Sequence, residues 1–325
     1  MDESSNQQYL HCPSVDELEK LGMEHLYGGK VRDIYAVNDE QLLMVASDRM
    51  SAYDVIMSEP IPEKGAVLNG ISAFWFDNTK QIIDNHVVSC DITDFPFPQT
   101  GNLLSARSML VTKTIPIRLE AIVRGYMFGH GYQEYIETGQ VHGHHFENGI
   151  QLSEKLPNPI FTPTSKAEEG HDESVSVEEA RDFIGSNIYD FIRDTSLAIY
   201  NYGANRSIES GILLADTKLE FGFKANSDGA LSGGKSKNAV DDIILIDEVM
   251  TPDSSRYWEA STYEVGISPA SFDKQYLRDW LETQPWDKTA PAPTLSPEVI
   301  AGTRERYVEA YERISGEVFS SWLNN

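Results

Sequence analysis

The strongest pattern of apolar and polar positions lies in residues 213–222, LLADTKLEFG. Side chains alternate between the two faces of a β-strand, so the pattern predicts a strand that directs Asp216, Lys218 and Glu220 to one face. Residues two apart on a strand are roughly 7 Å apart, close enough for two carboxylates to share a cation. A solvated surface strand would show the same alternation, because exposed charges are common.

A second apolar run, residues 243–246, ends in two acids, Asp247 and Glu248. Carboxylates at strand ends are typical ligands of Mg²⁺ in enzymes that handle phosphate groups. The second pair of acids therefore favours a functional site over a solvent-exposed surface strand.

Shorter patterns predict elements in the N-terminal part of the chain. Residues 42–46 form an apolar strand, and the apolar spacing over residues 68–82 is that of a helix on one face of the first sheet. Lys30 and Arg32 alternate with an apolar residue beside two glycines, so both cations would point to one side of a strand. This arrangement predicts a phosphate clamp or, alternatively, an exposed basic edge strand.

Helical patterns dominate the C-terminal part. Ser176 and Glu179 form a capping box before an apolar stripe, which we expect to end near Gly203 and to pack behind the strand of alternating acids. Ser271 is a candidate N-cap for a further helix. A last amphipathic helix is predicted over residues 296–316, beginning with Ser-Pro and ending at glycine.

The composition narrows the class of protein. The chain has 325 residues, 40% hydrophobic and 24% charged, which is typical of a globular protein of one or two domains. A formal net charge of −25 argues against a general nucleic-acid or membrane surface. Cys12 and Cys90 are too few for a disulfide framework, and neither a signal peptide nor an apolar span is evident, so we expect a cytoplasmic protein.

One motif argues for a different fold and is rejected. Residues 229–236, GALSGGKS, match the P-loop pattern, and the apolar run with two acids that follows imitates its Walker B strand. A P-loop needs a strand before it and a helix after it, whereas here a predicted strand follows almost at once. We therefore interpret the segment as a glycine-rich turn between two antiparallel strands.

Two further segments carry candidate binding groups. Residues 47–54, SDRMSAYD, form a polar loop after an apolar strand, and such a loop either binds a ligand or simply turns the chain. Arg124 ends another predicted strand before a glycine-containing turn. Its guanidinium could bind a phosphate or carboxylate, or pair with a structural acid.

Seven stretches, in chain order, closely resemble the SAICAR synthase family of purine biosynthesis, phosphoribosylaminoimidazole-succinocarboxamide synthase. They are GGKVRDIY, SDRMSAYD, LEAIVRGY, FTPTSKAEEGHDE, LLADTKLEFG, IDEVMTPDSSRYW and SFDKQYLRDWL. LLADTKLEFG agrees with the family's second signature at every position. The resemblance covers most of the chain.

This resemblance implies an α+β, two-lobed fold with ATP in the cleft between the lobes. Residues 1–104 would form an antiparallel, β-rich lobe that clamps ATP, and residues 105–325 a larger α/β lobe with the metal and substrate sites. The implied enzyme is an ATP-dependent ligase that joins L-aspartate to the carboxylate of carboxyaminoimidazole ribonucleotide (CAIR) through an acyl phosphate, giving SAICAR, ADP and phosphate. The expected cofactors are ATP and Mg²⁺, and the expected partners are small-molecule substrates, with no nucleic acid and no membrane.

The resemblance also implies roles for individual residues. Lys30 and Arg32 would contact the ATP phosphates, while Glu220 and Asp247 would bind the nucleotide through Mg²⁺. Lys218 would face the CAIR carboxylate. The catalytic pair implied is Lys218 and Asp216.

The resemblance also implies the substrate-binding residues. The residues implied for CAIR are Arg124, His130, Asp172, Lys218 and Arg256. The residues implied for L-aspartate are Ser51, Asp54, Ser271 and Lys274. The family usually has serine where this chain has His130, so the histidine or a neighbouring backbone N–H would have to contact the substrate phosphate.

Two other functions fit the same residues. One is a ligase or phosphotransferase that activates a different carboxylate with ATP. The other is a nucleotide-binding regulatory module without turnover, which is disfavoured because binding alone seldom needs two metal-binding acids beside a lysine.

Overall fold

Two antiparallel β-sheets organise the chain in the computed structural model, which describes residues 9–165, 173–225, 239–272 and 274–324. Helices pack against both sheets, and the mixture of separate sheets and helices confirms the predicted α+β class. Within the described residues, no helix is long and apolar enough to cross a membrane.

The first sheet is built from the N-terminal third of the chain. Its strands are β1 His25–Gly28, β2 Arg32–Ala36, β3 Gln41–Ala46, β6 Val87–Ser89 and β7 Ser108–Thr112. They are hydrogen-bonded in the order β1-β2-β3-β7-β6. A small hairpin, β4 Ser51–Ala52 with β5 Val55–Ile56, follows β3.

Alternation along β3 gives this sheet a core on each face. Met44 packs into the cluster that contains Trp75 of helix α2, Lys64–Asn78. Leu43 and Val45 point the other way, into a cluster with Leu18 of helix α1, Val15–Lys20. The predicted strand and helix are confirmed.

The second sheet has eight strands. They are β8 Thr114–Pro116, β9 Leu119–Tyr126, β12 Lys155–Phe161, β13 Thr164–Ser165, β14 Glu173–Ser174, β15 Ile212–Lys224, β16 Ile243–Ile246 and β17 Ser255–Glu259. β15 is its centre, with β9 and β8 along one edge and β17 and β16 along the other. The register sets Asp216 beside both Arg124 of β9 and Arg256 of β17.

The remaining elements are helices, one hairpin and short 3₁₀ turns. The helices are α3 Gly129–Thr138, α4 Val177–Ile184, α5 Ser186–Glu209, α6 Gln275–Glu282, α7 Pro297–Ser315 and α8 Phe319–Leu323. The hairpin pairs β10 Gln140–Val141 with β11 His144–His145. The 3₁₀ turns are Ile92–Asp94, Pro98–Leu104, Ala239–Asp242 and Ala260–Thr262.

The helix predicted after Ser176 is correct at its start and wrong at its end. Ser176 and Glu179 form the capping box, and α5 packs against β15. However, Gly185, at φ 91°, separates two helices, and α5 continues through Gly203 to residue 209. A β carbon at Gly203 would lie 2.2 Å from Sδ of Met250, so this glycine permits close packing and does not end the helix.

The predicted N-cap at Ser271 is also wrong. Helix α6 begins at Gln275, after Lys274, while Ser271 forms a β-bridge with Trp258. The last predicted helix is confirmed, because Ser296 accepts a hydrogen bond from the backbone N–H of Val299 and Gly316 ends the helix. Helix α8 was not predicted.

Another glycine, Gly125 of β9, lies where α5 approaches the second sheet. A β carbon at this position would lie 1.8 Å from Oη of Tyr200 in α5. The same hydroxyl donates a 2.7 Å hydrogen bond to the carbonyl of Leu214 in β15. The contact between α5 and the sheet therefore requires glycine at position 125, next to Arg124.

β15 and β16 pair antiparallel, as the interpretation of the glycine-rich segment requires. The segment itself, residues 229–236, lies outside the described residues. The division of the chain at residues 104 and 105 stays a prediction.

Candidate active site

Strand β15 directs its alternating charged residues into two cavities that share lining residues. Asp216 and Lys218 line a cavity of about 180 Å³, and Lys218 and Glu220 line a larger one of about 990 Å³. Leu219 and Phe221 are buried in the core between the sheet and its helices. Lys218 thus lines both cavities, because it lies between Asp216 and Glu220 on the same face of the strand.

The acidic end of this cleft consists of Glu120, Glu220, Asp247 and Glu248, all of which line the larger cavity. Arg32 of β2 reaches across from the first sheet. Its Nη2 lies 3.1 Å from Oδ2 of Asp247 and 2.6 Å from Oε1 of Glu248. Burial works against the charge of Arg32, but these acids outweigh it and raise its pKa.

Asp247 is ionised less readily than an ordinary aspartate. Burial raises its pKa, Arg32 opposes that shift, and repulsion from Glu220 and Glu248 adds to it. A divalent cation would relieve this repulsion. Within the described part of the chain, no cluster of three or more His, Cys, Asp or Glu residues could hold a metal alone. Two acids nevertheless suit Mg²⁺, which usually takes one or two carboxylates together with substrate phosphates.

Lys218 is held between two carboxylates. Its Nζ donates to Glu120 of β9 and lies 3.5 Å from Oε1 of Glu220. Burial disfavours its charge, but Glu220 and Glu120 overcome this penalty and raise its pKa. Glu120 is fixed in turn, because Thr164 donates to it over 3.0 Å. Lys218 therefore remains a cation aimed at the cleft.

The basic end of the cleft consists of Arg124, Arg256, Lys274 and Arg278, which line the smaller cavity together with His130. Arg124 and Arg256 share Oδ2 of Asp216, the first at 3.5 Å. Among the described residues that line this cavity, five cations (Arg124, Lys218, Arg256, Lys274 and Arg278) face two carboxylates (Asp216 and Asp253), which favours an anionic ligand. Burial lowers the pKa of Arg124, and Asp216 offsets part of that shift.

Lys274 and Arg278 line both cavities from the start of α6. They are four residues apart, which places them on one face of the helix. Nζ of Lys274 lies 3.2 Å from Oδ2 of Asp253. Nε of Arg278 is buried without a hydrogen-bond partner among the described residues.

The N-terminal part supplies the opposite wall. Lys30, Ser51 and Asp54 line the larger cavity, and Lys30 contacts Asp54. The hydroxyl of Tyr53 donates 2.7 Å to Glu282 of α6, so the polar loop touches the far side of the cleft.

One of the two remaining predicted residues can be placed, and it lies outside this arrangement. Ser271 is absent from the lining of both cavities. Asp172 lies outside the described residues.

Comparison with known proteins identifies the family. Residues 25–293 match the family model described as SAICAR synthetase. The chain belongs to the SAICAR synthetase family. It is an ATP-dependent ligase of purine biosynthesis, and its reaction joins L-aspartate to the carboxylate of CAIR. The family, fold class and reaction predicted from the sequence are confirmed.

Individual relatives match almost end to end. The phosphoribosylaminoimidazole-succinocarboxamide synthase of Maridesulfovibrio salexigens is 46% identical over 300 residues, 91% of this chain and 95% of that protein. The same enzyme of Geotalea uraniireducens is 47% identical over 292 residues, 89% of this chain and 93% of that protein. The SAICAR synthase of Saccharomyces cerevisiae, solved in complex with SAICAR, is 37% identical with a TM-score of 0.81, covering 95% of this chain and 98% of that one.

Sequence reasoning missed several residues of this SAICAR synthetase cleft. Glu120 lies in the predicted strand that ends at Arg124, and an acid among apolar strand residues indicates a functional or paired carboxylate. Arg278 follows Lys274 by one helical turn, and that spacing was available from the sequence. Asp253 gave no such signal, because its partners lie far away in the chain.

Proposed function

We propose that the two ends of the cleft divide the reaction between them, with ATP and Mg²⁺ at the acidic end and the CAIR phosphate at the basic end. The observation that carries this proposal is that Lys218 lines both cavities. The CAIR carboxylate must lie where the two substrates meet, because it takes the γ-phosphoryl group of ATP.

At the acidic end, Lys30 and Arg32 contact the ATP phosphates. Glu220 and Asp247 hold Mg²⁺, which when bound neutralises charge on the transferring phosphoryl group. The ion pairs of Arg32 with Asp247 and Glu248 support this assignment, since they bring a phosphate-binding cation next to the proposed metal ligands.

At the basic end, Arg124 and Arg256 bind the CAIR phosphate, and Asp216 fixes the orientation of both guanidiniums. His130 lines the same pocket and contacts the phosphate in place of the usual serine. Asp172 contacts the imidazole side of CAIR. Guanidiniums suit this task because their planar forks match phosphate oxygens.

Lys218 stabilises the charge that develops on the reacting carboxylate. An oxygen of the CAIR carboxylate attacks the γ-phosphorus and ADP leaves, giving an acyl phosphate. The neutral amine of aspartate then attacks the acyl carbon, and phosphate leaves with the bonding electrons. A cation held in place before the reaction lowers this barrier without reorganisation.

L-aspartate binds where α6 faces the polar loop. Lys274 and Arg278 present two cations on one helix face, which matches the two carboxylates of L-aspartate. The buried Nε of Arg278 has no hydrogen-bond partner among the described residues, which supports the binding of an anion there. Ser51 and Asp54 contact aspartate from the opposite wall. Ser271 remains the weakest member of this group, because it lines neither cavity.

Two broader statements belong to the same proposal. The ATP-clamping lobe is residues 1–104 and the lobe with the metal and CAIR sites is residues 105–325, and the contact of Arg32 with Asp247 across the cleft supports this division. The enzyme acts in the cytoplasm, where its phosphorylated substrates would be found.

A coupled ADP-release assay tests the proposed function. We expect turnover only when ATP, Mg²⁺, CAIR and L-aspartate are all present. One ADP should be released for each SAICAR formed. ADP release with another carboxylate in place of CAIR would indicate a different ligase. A thermal shift with ATP but no ADP under any condition would indicate a regulatory module.

A further inference from the structure

A buried network behind the cleft contains a lysine that the reaction itself does not use. Lys64 of α2 is fully buried, and its Nζ lies 2.7 Å from Oδ2 of Asp253. Tyr307 of α7 donates a 2.7 Å hydrogen bond to the other oxygen, Oδ1. Asp253 lies in the lining of both cavities, so this network reaches the active site.

The same carboxylate oxygen also faces Lys274. Nζ of Lys274 lies 3.2 Å from Oδ2 of Asp253, farther than Nζ of Lys64. The side chain of Lys274 is 14% exposed, whereas that of Lys64 is not exposed at all. Two ammonium groups therefore compete for one oxygen, and the one without access to solvent or substrate is closer.

This competition leaves charge on Lys274. The side chain of Lys64 is fully buried, so its charge depends on the carboxylate of Asp253 for compensation. Lys274 can turn toward a second anion in the cleft without leaving Asp253 unpaired. If Lys64 were neutral, the charge of Asp253 would act on Lys274 alone and draw it away from the cleft.

We propose that Lys64 is a positioning residue for L-aspartate: by pairing with Asp253 it keeps the positive charge of Lys274 available to a carboxylate of the amino-acid substrate. This inference rests on the proposed assignment of aspartate to Lys274. Lys64 itself touches no substrate, because its side chain lies behind Asp253 in the core between α2 and α7.

The test is steady-state kinetics of the full-length enzyme carrying Lys64→Met, with L-aspartate varied at saturating ATP, Mg²⁺ and CAIR. We expect KM for aspartate to rise at least about tenfold while kcat and KM for ATP change less than about threefold. The double variant Lys64→Met/Asp253→Asn should recover KM to within about threefold, because it removes the charge that captures Lys274.

Arg304→Met is the matched control. Arg304 lies in α7 like Tyr307, and it pairs with Glu63, the residue before Lys64. This variant breaks the ion pair between α7 and the N-cap residue of α2 without touching Asp253, so KM for aspartate should stay unchanged. If Lys64→Met does not fold, Lys64→Gln, whose amide can still donate to Asp253, should show the same rise in KM.

Three results would overturn the proposal: an unchanged KM for aspartate in both Lys64 variants, a double variant no better than the single one, or an equal rise in Arg304→Met. Lys274→Met separates this failure from that of the proposed function. If Lys274→Met leaves KM for aspartate unchanged, the assignment of aspartate to Lys274 is wrong. If it raises KM and the Lys64 variants do not, only the positioning role is wrong.

Discussion

The acidic and basic ends of the cleft differ in the charge that remains after their own ion pairs form. At the acidic end, the described carboxylates of Glu120, Glu220, Asp247 and Glu248 outnumber the cations Arg32 and Lys218 that pair with them. Burial raises the pKa of Asp247, repulsion from Glu220 and Glu248 adds to the shift, and Arg32 only partly opposes it. At the basic end, Arg124 and Arg256 share the single carboxylate of Asp216. Among the described lining residues, the acidic end therefore favours a cation and the basic end an anion.

Both ends are built on one strand. Asp216 and Glu220 lie on the same face of β15, with Lys218 between them. The difference between the ends comes from the neighbouring strands, since β9 and β17 bring arginines to Asp216 while β16 brings acids to Glu220. On the proposed assignment, one regular strand places the metal and the anionic substrate side by side.

The largest expected effect is at the residue common to both ends. Lys218→Ala should reduce turnover on the order of 10³-fold, because Glu120 and Glu220 would then repel the CAIR carboxylate. ADP release that requires both CAIR and aspartate measures this loss. Lys224→Ala, on the same strand but half-exposed beside Asp84, should be unaffected. Retention of a tenth of the activity by Lys218→Ala would contradict the proposed mechanism.

At the acidic end, Asp247→Asn should lower turnover about 100-fold and raise the Mg²⁺ concentration needed for half-maximal activity. An amide keeps the shape of the side chain but not the charge that holds the ion. A Mg²⁺ titration of the rate measures this, with the surface variant Asp84→Asn as the control. An unchanged Mg²⁺ requirement would remove Asp247 from the proposed metal ligands.

At the basic end, Arg256→Lys should raise KM for CAIR about tenfold and leave KM for ATP unaltered. A lysine keeps the charge, but it lacks the fork that can contact Asp216 and a phosphate together. Arg193→Lys, on the surface of α5, serves as the control. Equal changes in the two KM values would mean that the ends are not separate binding sites.

The buried His86, near Arg32, should make the stability of the protein depend on pH. Burial lowers the pKa of His86 to about 3 and the charge of Arg32 adds to this shift, whereas the ordinary value is 6.5. Below pH 6.5, His86 therefore binds a proton in the unfolded chain but stays unprotonated in the folded chain until the pH approaches 3. This group should cost about 1.4 kcal/mol of stability per pH unit as the pH falls from 6.5 toward 3.

Urea unfolding at pH 7 and pH 5 measures this dependence. His86→Phe should show a shallower loss of stability than the wild type between these two values, and His145→Phe, at an exposed position, should not. Parallel pH curves for wild type and His86→Phe would show that the histidine is not kept neutral by the fold.

The smallest effect is expected at His130. His130→Ser should change KM for CAIR by less than about fivefold, because a serine hydroxyl can donate one hydrogen bond to the phosphate in place of the imidazole N–H. Steady-state kinetics with varied CAIR measures it. A complete loss of activity would show that the histidine has a further role at the basic end.

Sequence patterns predicted those parts of the site that depend on local periodicity. The face shared by Asp216, Lys218 and Glu220 follows from the geometry of any strand, and the capping box at Ser176 needs only four consecutive residues. The family resemblance added Arg124 and Arg256 as partners in one pocket. The structure then showed that both arginines share an oxygen of Asp216.

The parts that could not be predicted depend on contacts between distant segments. Lys64 and Asp253 are 189 residues apart, and no local pattern relates them. Glu120 became visible as the partner of Lys218 only through the register of β9 against β15. Gly203 was read as a helix end because a glycine's packing role depends on its neighbours in space, here Met250.

The need for glycine at position 125 has a practical consequence for engineering the substrate preference of the enzyme. Libraries that aim to change the ribonucleotide preference would naturally randomise the residues around Arg124. Alanine at 125 would collide with Tyr200, and the helix would have to retreat from the sheet or the tyrosine would have to release Leu214. Either response would shift the neighbouring guanidinium of Arg124, so a library that keeps glycine at position 125 should yield more variants that retain the proposed phosphate contact.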